Sequence, residues 1–207
     1  MDILKFISDE WDNFPYPAFP CPRVLFIAIF QASCYRSRDS GIPFSGVFAP
    51  IPTPEDIIAS ANKFSPEDWV PPNVALQDEL LLLARIYHCS TMLYCTSVLR
   101  PHLLEGLGSR IDQLLEEHKT LLPQLLEKSQ YSRRVIRACV WPLIVAGVVV
   151  AQHDAATQAL VGKELVGLSG DLAAPALLEA RVVLETFWDS DKNGWEACFD
   201  QPYAFVQ

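Results

Sequence analysis

An apolar run near the middle of the chain constrains the fold more than any other feature. Residues 138–151 read Ala-Cys-Val-Trp-Pro-Leu-Ile-Val-Ala-Gly-Val-Val-Val-Ala and contain no charged or amide side chain. A helix that crosses a bilayer needs about 20 residues, so this run is too short to do so. We therefore expect a buried helix over residues 131–152. Pro142 predicts a kink in it, because proline removes one helical hydrogen bond.

The composition predicts one folded domain without a membrane span. The chain has 207 residues, of which half are apolar and a fifth are charged, and this is enough for a large core. Residues 1–10 carry acids early and have no long apolar stretch, so they do not resemble a secretory signal. We expect an intracellular protein, nuclear if it is a regulator and cytoplasmic if it is an enzyme.

The net charge of the chain is unfavourable for binding to nucleic acid. The net charge is −9, whereas binding to phosphates requires clustered lysine and arginine. The densest basic cluster is formed by Arg133, Arg134 and Arg137. We interpret this cluster as the solvated start of a helix.

The cysteines and the motif search predict neither a metal nor a cofactor. The six cysteines form no C-x-x-C pair and have no zinc-finger spacing to histidine, so we interpret them as reduced core residues. The chain has no phosphate-binding glycine loop, no H-E-x-x-H and no G-x-S-x-G motif. Nucleotide-binding, zinc-protease and α/β-hydrolase functions are therefore disfavoured.

Apolar residues that recur every three or four positions predict an all-α fold, an irregular bundle of six to eight helices around the buried, proline-kinked one. The other helices are expected over residues 23–35, 53–64, 74–99, 109–126, 155–168 and 172–188. We expect a single helical domain over 1–207. It consists of an aromatic, proline-rich arm (1–22), a helical body (23–188) and an aromatic tail (189–207) that packs back on the body.

Local signals predict three helix boundaries. Thr53 is expected to cap a helix that has Pro54 at its first position. Pro123 is expected to end or kink the helix that contains it. The glycine-rich residues 167–170 predict a turn, with Asp171 capping the next helix.

Several aromatic and polar residues are candidates for a ligand site. Arg85 and His88 lie three residues apart on the long helix and would share a face, where they could orient a ligand or form an exposed edge. His153 and Asp154 directly follow the buried helix and could form a base–carboxylate pair or cap a helix end. The candidate ligand-contacting residues are Trp141, Tyr94, Tyr87, Arg85, His88 and His153. We interpret His118, which lies on an apolar helical face, as a core histidine.

Four segments of the chain occur in the order of a known family's motifs. Residues 85–95 (RIYHCSTMLYC) are similar to its R-x-A-x-x-L-Y-L helix, and residues 140–147 (VWPLIVAG) to its W-P-L-F-x-A-G segment. Residues 184–188 (LETFW) are similar to its L-E-x-V-W helix, and residues 21–25 (CPRVL) to its C-P-x-x-L start. Over about residues 20–200 the chain thus resembles the fungal-specific transcription factor domain. This is the C-terminal helical domain of regulators that carry a six-cysteine binuclear zinc cluster.

The chain departs from the family pattern in three respects. It lacks the zinc cluster with its basic flank, and it lacks much of the N-terminal helical half. The D-R segment that follows W-P-L-x-x-A-G is replaced by residues 153–157 (HDAAT). The numbering begins at Met1, which favours a complete short protein over a fragment as an expectation.

Three functions from different classes remain open. The resemblance implies a regulatory domain that binds an apolar small molecule or a protein partner and does not contact DNA or membranes. A cofactor-independent cyclase or isomerase of fungal secondary metabolism is the alternative, because an apolar pocket can catalyse such reactions by orientation. A third hypothesis is a structural or oligomerisation module, for example a homodimer, that uses the leucine-rich helices over 109–126 and 172–188. The family has no defined catalytic residues, so the resemblance assigns none.

Overall fold

The computed structural model describes residues 21–39, 52–72, 74, 76–99, 108–129, 133–151 and 154–199. Within these ranges the regular structure is entirely helical and contains no strand, which confirms the all-α prediction. In this part of the chain, no helix combines the length and the apolar character that are needed to cross a membrane.

The helices span most of the described residues. In chain order they are α1 (Arg23–Asp39), α2 (Pro54–Asn62), α3 (Pro66–Trp69), α4 (Gln77–Val98), α5 (Gly108–Ser129), α6 (Arg133–Ala138), α7 (Val140–Val145), a π-helical segment (Ala146–Val150), α8 (Ala155–Leu172), α9 (Ala176–Trp188) and α10 (Trp195–Cys198).

Helix α4 lies at the centre of the bundle. It packs against α1, α2, α3, α5 and α7, and every residue from 89 to 96 is buried. Helices α8 and α9 pack against each other, and α8 also contacts α7 and the π segment. The apolar run therefore lies between the central helix and the α8–α9 pair.

The apolar run is buried but is not one continuous helix. Helix α6 ends at Ala138, Cys139 forms a turn, and α7 begins at Val140. Pro142 cannot donate a hydrogen bond to the carbonyl of Ala138, so the helical pattern is broken one turn before the proline. The amide of Cys139 donates to the carbonyl of Ile136, three residues back, at 3.1 Å. The predicted helix over 131–152 is thus divided, and its two ends lie outside the described residues.

Thr53 caps α2 as predicted. Its Oγ1 accepts a hydrogen bond from the amide of Asp56 at 3.2 Å, and Pro54 occupies the first position of the helix. The sequence signal is reliable here because capping depends only on the local chain.

Pro123 does not end its helix, which was one of the two predicted effects, because α5 continues through it to Ser129. Pro123 is exposed, so water can solvate the carbonyl that loses its helical partner. On either side, Leu122 and Leu125 are buried in the core and hold both halves of the helix in place.

The predicted turn at residues 167–170 is also wrong. Helix α8 continues through these glycines to Leu172, and the chain turns at Ala173, whose φ is +52°. Buried Leu165 and Leu168 hold the glycine-containing turns on the core. The left-handed backbone of Ala173 ends the helix, and the amides of Ala173 and Ala174 donate to the carbonyls of Gly170 and Ser169. Asp171 therefore lies inside α8 and does not cap α9.

Candidate functional site

Four aromatic rings form a cluster at the side of α4, which we call the aromatic cluster: Tyr94, Trp141, Trp195 and Phe199. The ring of Trp195 lies 4.7 Å from that of Tyr94, 5.5 Å from Trp141 and 5.4 Å from Phe199. The rings of Tyr94 and Trp141 are 5.0 Å apart and nearly perpendicular, a favourable arrangement of their quadrupoles. Two predicted ligand residues, Tyr94 and Trp141, therefore meet, and the tail packs on the body through Trp195 and Phe199.

The aromatic cluster contains two polar groups with different environments. The Tyr94 hydroxyl is 2.8 Å from the hydroxyl of Ser33 on α1, so the two groups share a hydrogen bond. The indole Nε1 of Trp141 is buried and has no hydrogen-bond partner among the described residues. An unpaired buried donor costs free energy, so this nitrogen favours any acceptor that can reach it.

The three predicted residues on the first half of α4 have different surroundings. Tyr87 is 5% exposed, and burial raises the pKa of its hydroxyl. Arg85 is exposed and forms an ion pair of 2.8 Å with Glu67, which lowers the pKa of that carboxyl. His88 instead packs edge-on against Phe64, and burial lowers its pKa. Arg85 and His88 thus contact the same short segment, residues 64–67, as expected for side chains three residues apart on one helix. Tyr87 lies in the core instead.

Asp154 caps α8. Its Oδ1 accepts hydrogen bonds from the amides of Ala156 and Thr157, and its Oδ2 accepts from the Thr157 hydroxyl at 2.8 Å. The hydrogen bonds from Thr157 hold the pKa of this carboxyl below its usual value. The carboxylate therefore has the capping role that the sequence offered as one alternative, and His153 lies outside the described residues.

His118 is a core residue, as predicted. It is fully buried, and its Nε2 is 3.0 Å from the Oγ of Ser90, which is also fully buried. Burial lowers the pKa of His118 to about 4, although backbone carbonyls at His118 and Pro142 act in the opposite direction. The histidine is therefore neutral in the folded protein at pH 7.

The low pKa of His118 predicts acid destabilisation. The unfolded chain binds this proton near pH 6.5, whereas the folded chain binds it near pH 4, so stability is lost as the pH falls through that window. The free energy of unfolding should drop by roughly 3 kcal/mol more in the wild type than in His118→Gln, measured by urea titration from pH 7 to 4. His88 shifts in the same direction and leaves a residual slope in the variant. Equal slopes in the two proteins would contradict the prediction.

The segments that resemble two family motifs meet at Gly147. A Cβ at Gly147 would lie 2.7 and 2.9 Å from the two methyl carbons of Leu184, so only glycine allows α9 to approach this closely. The Nε1 of Trp188 donates a hydrogen bond to the carbonyl of Gly147 at 2.8 Å. Both contacts come from one face of α9. The sequence placed these motifs on separate helices and did not predict that they touch.

A surface groove lies beside this junction, and we call it the α8–α9 groove. Its volume is about 510 Å³, and its lining includes Gly162 and Lys163 on α8 together with Arg181, Glu185 and Trp188 on α9. No pattern in the sequence predicts this groove. Arg181 and Glu185 have the i,i+4 spacing of an ion pair, but that spacing does not indicate which helix lies opposite them.

All six cysteine side chains are buried, which agrees with their interpretation as core residues. Burial raises the pKa of Cys95 and Cys198 to about 12, so both thiols are protonated at neutral pH. Among the described residues, no three histidine, cysteine or acidic side chains converge to hold a metal ion.

Comparison with known proteins identifies relatives of the chain. The family described as the fungal specific transcription factor domain matches residues 52–203. The phomenoic acid biosynthesis cluster-specific transcriptional regulator of Leptosphaeria maculans is 33% identical over 151 residues. The alignment covers 73% of this chain and 29% of that regulator, so the chain spans less than a third of its relative's length. No solved structure matches the chain.

Proposed function

Because the chain belongs to the fungal-specific transcription factor domain family, we propose that it is the regulatory region of a fungal transcriptional regulator. The observation that carries this proposal is the family match over residues 52–203. The structure adds physical support, because the segments similar to the family's W-P-L-x-x-A-G and L-E-x-V-W motifs contact each other at Gly147 through Leu184 and Trp188.

The regulated genes are proposed to belong to a secondary-metabolite pathway, and the chain is proposed to act in the nucleus. The support is the relative, whose name describes a regulator specific to one biosynthetic cluster. A regulator of transcription must reach promoters, which are nuclear in fungi.

We propose that this region does not itself bind DNA. The support is the net charge of −9, since DNA binding requires a concentration of lysine and arginine at the surface. Regulation would then occur through an apolar small molecule or a protein partner, including a second copy of the chain.

The proposed contacts for an apolar small molecule are those predicted from the sequence. Trp141 and Tyr94 have the strongest support, because the unpaired Nε1 of Trp141 could donate to a ligand acceptor beside the ring of Tyr94. Tyr87, Arg85, His88 and His153 remain proposed contacts without comparable support. Trp141→Phe keeps an aromatic ring and removes the donor, so it should weaken binding of a ligand that carries an acceptor there.

The regulatory function is tested by joining the full chain to a DNA-binding module of known site and measuring a reporter gene behind that site. We expect transcription to change several-fold relative to the module alone. The chain without the module should not retain a DNA duplex at physiological salt. An unchanged reporter would overturn the regulatory proposal, whereas retention of DNA would overturn only the proposal that the region avoids DNA.

A cofactor-independent cyclase or isomerase is not proposed, since no observation on the described residues favours it. The homodimer is kept as one form of protein partner, and sedimentation of the full chain at micromolar concentration tests it.

A further inference from the structure

We propose that the end of the apolar run is a two-register element. The indole of Trp188 holds residues 146–150 in the π register, and loss of its hydrogen bond returns them to the α register. Trp188 is then a positioning residue for the backbone of another helix. The proposal rests on the proposed regulatory function for its biological meaning, but the register itself can be measured on the chain alone.

The first argument is an exchange of hydrogen-bond partners at Gly147. In an α-helix the carbonyl of Gly147 would accept from the amide of Ala151, four residues ahead. In the π segment the amide of Ala151 donates instead to the carbonyl of Ala146, five residues back. The Nε1 of Trp188 donates to the Gly147 carbonyl at 2.8 Å. A side chain of α9 thus takes the place that the α register would give to a backbone amide.

The second argument is the buried position of that carbonyl. Gly147 is buried and lies against the side chain of Leu184. A buried carbonyl that loses its donor costs free energy, because water cannot replace the lost hydrogen bond. When the indole of Trp188 is removed, a shift to the α register supplies this carbonyl with the amide of Ala151. The hydrogen bond from Trp188 therefore favours the π register over the α register.

The third argument is the sequence of the segment. Val148, Val149 and Val150 are three identical side chains in a row, and all three pack on the core. Over one turn the π and α registers differ by about one residue, or roughly 100° of rotation. A slip between the registers therefore replaces one valine by another in the core. Because the packing is so similar in the two registers, a single hydrogen bond decides between them.

Trp188 connects this element to the rest of the fold. It is the last residue of α9 and is only half-buried, so its indole moves when the end of α9 moves. The π segment packs against α4, α5 and α8. A displacement of α9 that withdraws the indole from Gly147 is therefore transmitted to three other helices as a change of register.

The experiment measures the register in the full, isotopically labelled chain from scalar couplings across hydrogen bonds in NMR spectra. In the wild type, the amide of Ala151 should couple to the carbonyl carbon of Ala146. Trp188→Phe keeps an aromatic ring and removes the donor, so a coupling from Ala151 to the carbonyl of Gly147 should appear. The ratio of the π to the α register should fall roughly 5-fold or more, as expected for one lost hydrogen bond. The matched control is Trp69→Phe on α3, which should leave the couplings of Ala151 unchanged.

Two results would overturn the proposal. The first is an unchanged coupling from Ala151 to Ala146 in a Trp188→Phe protein that circular dichroism shows to be folded. If this variant does not fold, β-(3-benzothienyl)alanine at position 188, an isostere of tryptophan in which sulfur replaces the N–H, provides the same test. The second is an equal loss of the π register in Trp69→Phe, which would make the shift an effect of general destabilisation.

The biological role of the two-register element is tested separately in the reporter experiment. Trp188→Phe should change transcription roughly 2-fold or more relative to the wild-type fusion, because activity would follow the population of one register, whereas Trp69→Phe should not. A register shift without a change in transcription would overturn this regulatory role. A wild-type fusion that leaves the reporter unchanged would overturn the proposed function, and the couplings of Ala151 would still decide whether Trp188 sets the register.

Discussion

Replacing Gly147 by valine is expected to destabilise the fold by roughly 4 kcal/mol, at the upper end of overpacking effects. The new Cβ would lie 2.7 Å from one methyl carbon of Leu184 and 3.3 Å from its Cγ. Leu184 is fully buried, so it cannot move aside without disturbing the core around it. The shift of α9 that would relieve the clash also breaks the hydrogen bond from Trp188 to the Gly147 carbonyl. Chemical denaturation followed by circular dichroism measures the loss.

The matched control for this prediction is Gly167→Val. Gly167 is also helical, but a Cβ there meets nothing within 4 Å, so the change in stability should stay within about 0.5 kcal/mol. If both valine variants had the same denaturation midpoint as the wild type, the close approach of α9 to the π segment would be refuted.

Replacing Trp195 by alanine is expected to cost roughly 4 kcal/mol, as is usual for a large aromatic residue removed from a core. Trp195 is 5% exposed, and its ring contacts those of Tyr94, Trp141 and Phe199. Its removal leaves a cavity bounded by three rigid rings that cannot collapse into it. Thermal unfolding should show a midpoint several degrees or more below that of the wild type.

Trp69→Ala is the control for the size of the side chain. Trp69 lies on α3, is only partly buried and does not belong to the core cluster, so its loss should cost clearly less than that of Trp195. An equal effect of the two alanine variants would show that the position of Trp195 in the aromatic cluster contributes nothing beyond the size of its side chain.

The features that the sequence predicted correctly depend on neighbouring residues. Thr53 caps α2 because its hydroxyl reaches an amide three residues away, whatever the rest of the fold does. His118 is buried because it lies on the apolar face of an amphipathic helix. The family resemblance was visible because its motifs are short and occur in order, and the match over residues 52–203 confirms it.

The two helix ends that were predicted wrongly rested on local residue preferences, and tertiary packing overrode those preferences. Pro123 and the glycines of residues 167–170 disfavour a helix locally, yet both helices continue because buried leucines beside them pack on the core. The intrinsic penalty of such residues is about 1 kcal/mol for glycine and about 3 kcal/mol for proline, and several buried leucines offset it.

By itself, the sequence determined the helical class, the burial of the apolar run, the acidic charge and the family to which the chain belongs. These follow from composition, periodicity and short motifs, which are properties of the chain itself. Only the tertiary structure decided that Leu184 and Trp188 converge on Gly147 and that Gly162 lines an open groove. The reason is that both depend on where α8 and α9 cross other helices, and the energy of a crossing comes from side chains that are distant in sequence.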